Sequence, residues 1–558
     1  MLTHRYHMPV AGMTCPHGEA FFEQALITAG AQDVHANFRR SEVTFTAPAN
    51  TTANLAAAVR EAGDRPGQIR TLDHRVRAEE DGARKDYDLA IIGSGAGSAM
   101  MKSCALAAFA AAITAREQGA RVAMIERGTL GGTCVNIGCI PSKALIRAAE
   151  VYHSAGHHPF EGIETHAGHV DFAATVAQKD RLVARLRQEK YANLVQDYGW
   201  DLLYGEARFV DDTTLAVDDR TIRAERILIA TDARPALPPI PGLIEAEPLT
   251  STTALALDTV PRSLVIIGAG YVALELGQLF RRLAAEVTLI QRGPRLLGEY
   301  EPEVAEAIGA MLQREKIEVL TSAQVQGVER DGAMRRVQVR LAGEDRVLTA
   351  EQVLVASGRT PNTESLNLPA AGIQTDARGA VVVDEYLQTT NPRVFAAGDV
   401  TGAPQFVYVA AYQGNLAAKN ALLGAGRQVD LSALPGVVFT DPQVAIVGMT
   451  EAQARAAGHE VKTSVLPVTA VPRALVNYEE IGVFKLVADA VTDQLLGAHI
   501  VASNAGDVIY AAVLAVKYRL TVADLVESFA PYLTMAEGLK LSAQAFARDV
   551  AKLSCCAA

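Results

Sequence analysis

The sequence predicts an α/β fold, and three observations carry the prediction. An apolar strand, Tyr87-Asp88-Leu89-Ala90-Ile91-Ile92, runs directly into Gly93-Ser94-Gly95-Ala96-Gly97-Ser98. A second, Ser263-Leu264-Val265-Ile266-Ile267, runs into Gly268-Ala269-Gly270-Tyr271-Val272-Ala273. From about Leu431 onward, strands and helices alternate without a third glycine loop. Glycines at a strand-to-helix turn let the backbone bend tightly and let a pyrophosphate approach the start of the next helix. The architecture expected is therefore two dinucleotide-binding, Rossmann-like domains plus an α+β domain, with a small α+β module in front.

Bulk properties set the frame. A chain of 558 residues holds three or four domains at about 150 residues each. The net charge of -11 argues against nucleic acid or an anionic membrane as partner, since both select basic surfaces. No apolar run reaches the roughly 18 unbroken residues that span a bilayer. Met1 to Val10 carries His4, Arg5 and His7 and no apolar signal core. Six cysteines are too few for a disulfide scaffold in so long a chain. The expectation is a cytoplasmic enzyme.

Residues 1–72 read as a βαββαβ unit. His4 to Val10 is a strand, Gly12-Met13-Thr14-Cys15 a loop, and Pro16 to Ala29 a helix. Val34 to Phe38 and Glu42 to Thr46 alternate as paired strands, Thr51 to Ala62 is amphipathic, and Gln68 to Leu72 closes the unit. With its cysteine just before the first helix, the module resembles the ferredoxin-like heavy-metal-associated domain. That domain's motif has a second cysteine three residues on, where this chain has Gly18. Cys15 is thus a lone metal-ligand candidate, with His17 a weaker second donor or an ordinary solvated histidine, and a degenerate module is the alternative. Residues 73–86, rich in Arg, Glu and Asp, form a solvated linker.

The first glycine loop belongs to a domain spanning 87–232 and 355–430. The strand Arg121 to Ile125 ends in Glu126, placed to accept hydrogen bonds from a ribose. Shortly after it comes Gly131-Gly132-Thr133-Cys134-Val135-Asn136-Ile137-Gly138-Cys139-Ile140-Pro141-Ser142-Lys143. Here a Gly-Gly loop runs into a helix beginning near Pro141. A helix start offers unpaired N–H groups and a positive dipole end, both favouring thiolate over thiol. Cytosolic disulfides are seldom structural, so Cys134 and Cys139 are read as redox centres. Cys104 reads as a helix thiol instead.

The second glycine loop opens residues 233–354. Its helix carries Glu275, and the next strand, Glu286 to Ile290, ends in Gln291-Arg292 with no acidic residue for a 2′-hydroxyl. Arg292, with Arg295 nearby, suits a 2′-phosphate, which favours NADPH over NADH. Residues 431–558 form the last domain, ending in Leu553-Ser554-Cys555-Cys556-Ala557-Ala558. Adjacent cysteines make a strained, easily reduced disulfide, whereas two thiols on a chain end suit transient capture of a soft metal ion.

Taken together, Gly131 to Lys143, both glycine loops, Ala397-Gly398-Asp399 and Leu553 to Cys556 resemble the pyridine nucleotide–disulfide oxidoreductase family over residues 87–558, its mercury-reducing members most closely. Disulfide-reducing members carry His-Pro-Thr-x-x-Glu near the C-terminus; here that stretch reads Tyr532-Leu533-Thr534-Met535-Ala536-Glu537. Histidine carries protons near neutral pH and tyrosine does not, so the exchange favours a metal over a disulfide as acceptor. The resemblance implies FAD and NADPH as cofactors and thiol-bound Hg(II) as substrate, with a homodimer whose active site is shared between subunits. It implies that Gly93, Gly95, Gly97, Glu126, Gly132, Thr133, Lys143 and Asp399 hold the flavin, with Asp399 at the ribityl chain, and that Gly268, Gly270, Glu275, Gln291 and Arg292 serve the nicotinamide cofactor. It further implies that Cys139 touches the flavin, Cys134 exchanges ligands, Cys555 and Cys556 relay the metal between subunits, and Tyr191 and Tyr532 line the metal site. A mercury transporter is a candidate partner. Two departures stand out: about ten residues inserted between Gly95 and Ala107, nearly three helical turns, and Asp232 where the family usually has glycine. The alternatives are a thiol–disulfide reductase like dihydrolipoamide dehydrogenase or glutathione reductase, and a metal-binding protein with an impaired flavin core.

Overall fold

The computed structural model describes residues 3–11, 23–37, 42–48, 52–61, 65–66, 70–71, 85–93, 95–96 and 105–549. The chain divides into two compact units, Met1–Arg84 and Lys85–Ala558. In the first unit Thr3–Ala11 is a central strand, antiparallel to Glu42–Pro48 on one side and to the short Arg65–Pro66 and Arg70–Thr71 strands on the other. Gln32–Asn37 forms the far edge, giving the order of a βαββαβ sheet. Val43, Phe45 and Ala47 alternate inward along Glu42–Pro48 and pack with Met8, Leu26 and Leu55. Gly12, Cys15, His17 and Gly18 lie outside the described residues.

In the second unit Asp201–Tyr204, Val122–Glu126, Tyr87–Ile92, Arg220–Ile229 and Val394–Ala396 lie side by side and parallel. Ile92 pairs with Ile125 and Ile229, and Ile229 with Ala396. That register levels the carboxyl ends of these strands, so Gly93, Glu126, Ala230 and Ala397 share one edge. In an open parallel sheet that edge is where ligands bind. Beyond the first glycine, Gly95–Ala96 pairs with Thr129–Leu130 and ties the glycine loop to the segment leading into Gly131. Helix Ala105–Glu117 follows; Gly97 and Cys104 lie outside the described residues.

A second parallel sheet runs in the order Leu249–Thr250, Gln352–Val355, Ser263–Ile267, Glu286–Ile290, Glu318–Leu320. The third sheet, Pro435–Val438, Gln443–Gly448, Leu495–Ala502, Val483–Asp489, Val461–Pro467, is antiparallel throughout. One core joins all three parts: Leu145 and Ile146 of helix Cys139–Gly156 pack with Leu274 and Phe280 of Tyr271–Arg282 and with Val438, Val444 and Val501 of the third sheet. The dithiol helix is therefore held from both sides by fully buried hydrocarbon.

Candidate active site

The sequence places one helix start near Pro141; the structure has two. Gly132–Ile137 is a short helix carrying Cys134, and the long helix begins at Cys139 itself. The reason is local. Gly131 and Gly132 have φ of 103° and 67°, conformations that L side chains rarely adopt, and they start the first helix early. Gly138 then breaks it, where a Cβ would come 3.0 Å from the Thr133 carbonyl oxygen. The short helix is tied down by Asn136, whose Nδ2 donates to the carbonyls of Leu130 (3.0 Å) and Gly132 (2.9 Å). Arg187 Nε donates to Asn136 Oδ1 at 2.6 Å.

Cys134 and Cys139 are thiols rather than a disulfide, and both are half-buried. A hydrogen bond from Cys134 is the main influence lowering the Cys139 thiol to about 7; burial opposes it, the Lys143 charge assists it, and Glu275 opposes it. Lys143 in turn pairs with Glu275, Nζ to Oε2 at 2.7 Å, while the backbone N–H of Phe439 donates to Glu275 Oε1 at 3.0 Å. The ammonium also lies 4.6 Å from the centre of the Phe439 ring. Helix Cys139–Gly156, helix Tyr271–Arg282 and the third sheet thus converge on a single buried carboxylate.

Gly93, with φ 96°, sits so close to its neighbour that a Cβ would lie 2.7 Å from the Ala230 carbonyl oxygen. Glu126 is buried and accepts the Gly128 N–H at 2.5 Å. Asp399 follows Gly398 (φ 81°), whose N–H donates to Gln413 Oε1 at 2.8 Å. Burial, and then the neighbouring Asp232, push the Asp399 carboxyl well above the usual carboxylate range. A glycine seat, a buried carboxylate at the level strand edge and a second carboxylate beside the dithiol loop fit a flavin dinucleotide. In the second sheet Gly268 (φ 119°) leaves no room for a Cβ beside the Ala356 carbonyl, and Gly270 caps helix Tyr271–Arg282. Arg292 is exposed at the end of its strand, next to half-buried Gln291. Arg295 is turned back on its own loop, donating to the Gly298 and Tyr300 carbonyls at 2.7 and 3.0 Å.

Tyr191 is buried in a single π-helical turn, Gln188–Ala192, with its ring edge-on to Phe109 at 5.0 Å between centroids. Such turns are frequent at functional sites. It packs behind the dithiol loop, since a Cβ on Gly131 would meet its ring at 3.5 Å. Tyr532 lies more than half exposed in a C-terminal stretch that also bears the fully exposed Phe529. Cys555 and Cys556 lie outside the described residues. Among the described residues no cluster of three or more His, Cys, Asp or Glu is arranged to hold a metal ion. Sequence reading does not reach Phe439, Asn136 and Arg187, which carry no local signal, nor the joining of Lys143 to Glu275 across 132 positions.

Two glycine-loop sheets with a dithiol at a helix start between them define a flavin- and nicotinamide-dependent oxidoreductase. Comparison with known proteins agrees: residues 87–414 match the model for pyridine nucleotide-disulphide oxidoreductases and residues 434–543 that family's dimerisation domain. The chain belongs to the pyridine nucleotide-disulphide oxidoreductase family. It is 52% identical to a mercuric reductase from Staphylococcus aureus, covering 100% of both chains. A mercuric reductase from Bacillus cereus is also 52% identical, over 100% of this chain and 88% of that one. Among solved structures it resembles the HOCl-induced flavoprotein disulfide reductase RclA from Escherichia coli, in its Cu(II) complex. That match has a TM-score of 0.73 and 31% identity, covering 83% of this chain and 99% of the other.

Proposed function

We propose that the protein is an NADPH-dependent flavoenzyme that reduces Hg(II) to Hg(0) through Cys134 and Cys139. The observation that carries the reading is the pair of half-buried thiols, Cys134 in the short helix Gly132–Ile137 and Cys139 at the start of the long one. End-to-end similarity to mercuric reductases supports a metal ion as acceptor. The flavin is assigned to Gly93, Gly95, Gly97, Glu126, Gly132, Thr133, Lys143 and Asp399, and NADPH to Gly268, Gly270, Glu275, Gln291 and Arg292. When bound, FAD relays two electrons from NADPH to the site of the dithiol.

The chain's own residues hold and pass the substrate. Cys139 is the thiolate nearer the flavin and Cys134 the exchange thiol. Hg(II) arrives from small-molecule thiols on Cys555 and Cys556 of the partner subunit and moves to Cys134 and Cys139. Each transfer swaps one thiolate for another, so the ion never leaves soft sulfur for water. Lys143 holds positive charge beside Cys139, and Glu275 holds Lys143. Tyr191 and Tyr532 flank the metal; a phenol, with a pKa of about 10, is a poor proton carrier at neutral pH, which disfavours a disulfide substrate.

A homodimer is supported by the dimerisation-domain match and by the exposed rings of Tyr510, Tyr518 and Phe529. The proposed division is 87–232 with 355–430 for the flavin, 233–354 for NADPH and 431–558 for the interface, with 1–72 a heavy-metal-associated-like module carrying the lone candidate ligand Cys15 and 73–86 its tether. We place the enzyme in the cytoplasm, receiving metal from a mercury transporter; no helix among the described residues is long and apolar enough to cross a membrane. The test is Hg(II)-dependent NADPH oxidation in excess thiol, with elemental mercury trapped from the vapour. Flavin-replete protein that oxidises NADPH with lipoamide or oxidised glutathione but not with Hg(II) refutes the assignment.

A further inference from the structure

Asp232 sits in the left-handed backbone region, φ 61°, yet only 1% of it is exposed. Aspartate is one of the few non-glycine residues that adopt this conformation, and a buried carboxylate must be paired. Its pairing is specific. Thr133 Oγ1 donates to Oδ2 at 2.7 Å, the Ala233 N–H donates to Oδ1 at 2.6 Å, and Arg359 Nη2 lies 3.4 Å from Oδ1. The same guanidinium reaches Asp399, Nε to Oδ2 at 3.3 Å. One half-buried cation is therefore shared by two carboxylates, and the Thr133 hydroxyl, one residue before Cys134, is already occupied.

All four residues border the flavin seat. Gly93 packs against Ala230 and Thr231, immediately before Asp232. Thr133 and Asp399 belong to the proposed flavin-holding set. A dinucleotide brings a diphosphate, which needs donors and cations, and hydroxyls for which Glu126 and Asp399 already supply acceptors, so a further carboxylate that ties up a donor and a cation works against it.

We propose that Asp232 is an internal competitor for the flavin: its carboxylate holds the Thr133 hydroxyl and one edge of Arg359, and FAD must displace it to bind. This rests on the reading that FAD occupies the first glycine-loop sheet. The raised Asp399 carboxyl agrees with the crowding of negative charge here. The consequence is a flavin that loads and leaves more readily than it would with glycine at 232.

The experiment is titration of flavin-free, full-length protein with FAD, followed by flavin fluorescence, for wild type, Asp232→Gly and Asp232→Asn. Thermal melts of the flavin-free proteins check that each is folded. The dissociation constant is expected to fall at least tenfold in Asp232→Gly. It is expected to fall by several-fold or more in Asp232→Asn, which keeps the shape and removes the charge. Unchanged or weaker binding in both variants overturns the proposal while leaving the flavin site standing. Tightening in Asp232→Gly alone also overturns it, since backbone relief then suffices. Folded protein that binds no FAD in any of the three forms overturns the flavin assignment and this inference together.

Discussion

Removing the Cys134 sulfhydryl should return Cys139 to ordinary thiol behaviour. The Cys139 thiol is lowered from 9.0 to about 7, with the hydrogen bond from Cys134 the largest cause. A fall of that size corresponds to roughly 3 kcal/mol favouring the thiolate. Burial works in the opposite direction, so without Cys134 only Lys143 and the Cys139 backbone N–H still favour the anion. In Cys134→Ala the Cys139 pKa should therefore rise by about one unit or more, toward the roughly 8.5 of a free thiol. Cys134→Ser keeps an O–H donor and should leave it near the wild-type value. The assay is iodoacetamide alkylation across pH 5 to 10, with the Cys139 peptide quantified by mass spectrometry so that other cysteines do not interfere. The same shift has a stability consequence. A thiol with a depressed folded-state pKa contributes stability in full above its unfolded pKa and loses it as pH falls through the folded value. Stability should thus climb between about pH 7 and pH 9 in wild type and more weakly in Cys134→Ala. An alanine variant whose Cys139 titrates where wild type does would refute the hydrogen bond as the cause.

Other perturbations separate chemistry from scaffold. Cys139→Ala should abolish Hg(II)-dependent NADPH oxidation while flavin absorbance persists, whereas joint Cys555→Ala and Cys556→Ala should slow turnover chiefly for thiol-bound mercury; equal rates with every thiol complex would remove the relay role. Gly93→Ala, at φ 96° and against the Ala230 carbonyl, should cost about 1–3 kcal/mol in urea denaturation from backbone strain, and unchanged stability would contradict the tight seat. Lys485 is buried against Glu301 (2.8 Å), Glu303 (2.9 Å) and Glu451 (3.4 Å), so Lys485→Met strands the equally buried Glu301 and should cost about 3–5 kcal/mol. A loss under about 1 kcal/mol, the worth of an exposed pair, would show that the cluster is solvated.

Local pattern by itself determined a great deal here. A strand that ends in Gly-x-Gly is legible because backbone approach requires glycine whatever surrounds it, and both loops and their parallel sheets follow from that. Cys134 and Cys139 were equally legible, since two glycines before a helix start are a short-range arrangement. What lay beyond the sequence was contact between residues far apart along the chain. Lys143 meets Glu275 and Phe439 only because helix Cys139–Gly156 packs on helix Tyr271–Arg282 beneath the third sheet. Asp232 showed in the sequence as an odd substitution, but its grip on Thr133 and Arg359 appears only when three chain segments converge. Even the helix start moved, from Pro141 to Cys139, because Gly138 breaks one helix and releases the next. Glycine spacing is a property of the backbone and is written locally; the neighbours of a buried charge are set by which surfaces hydrophobic packing brings together, and that only the folded chain decides.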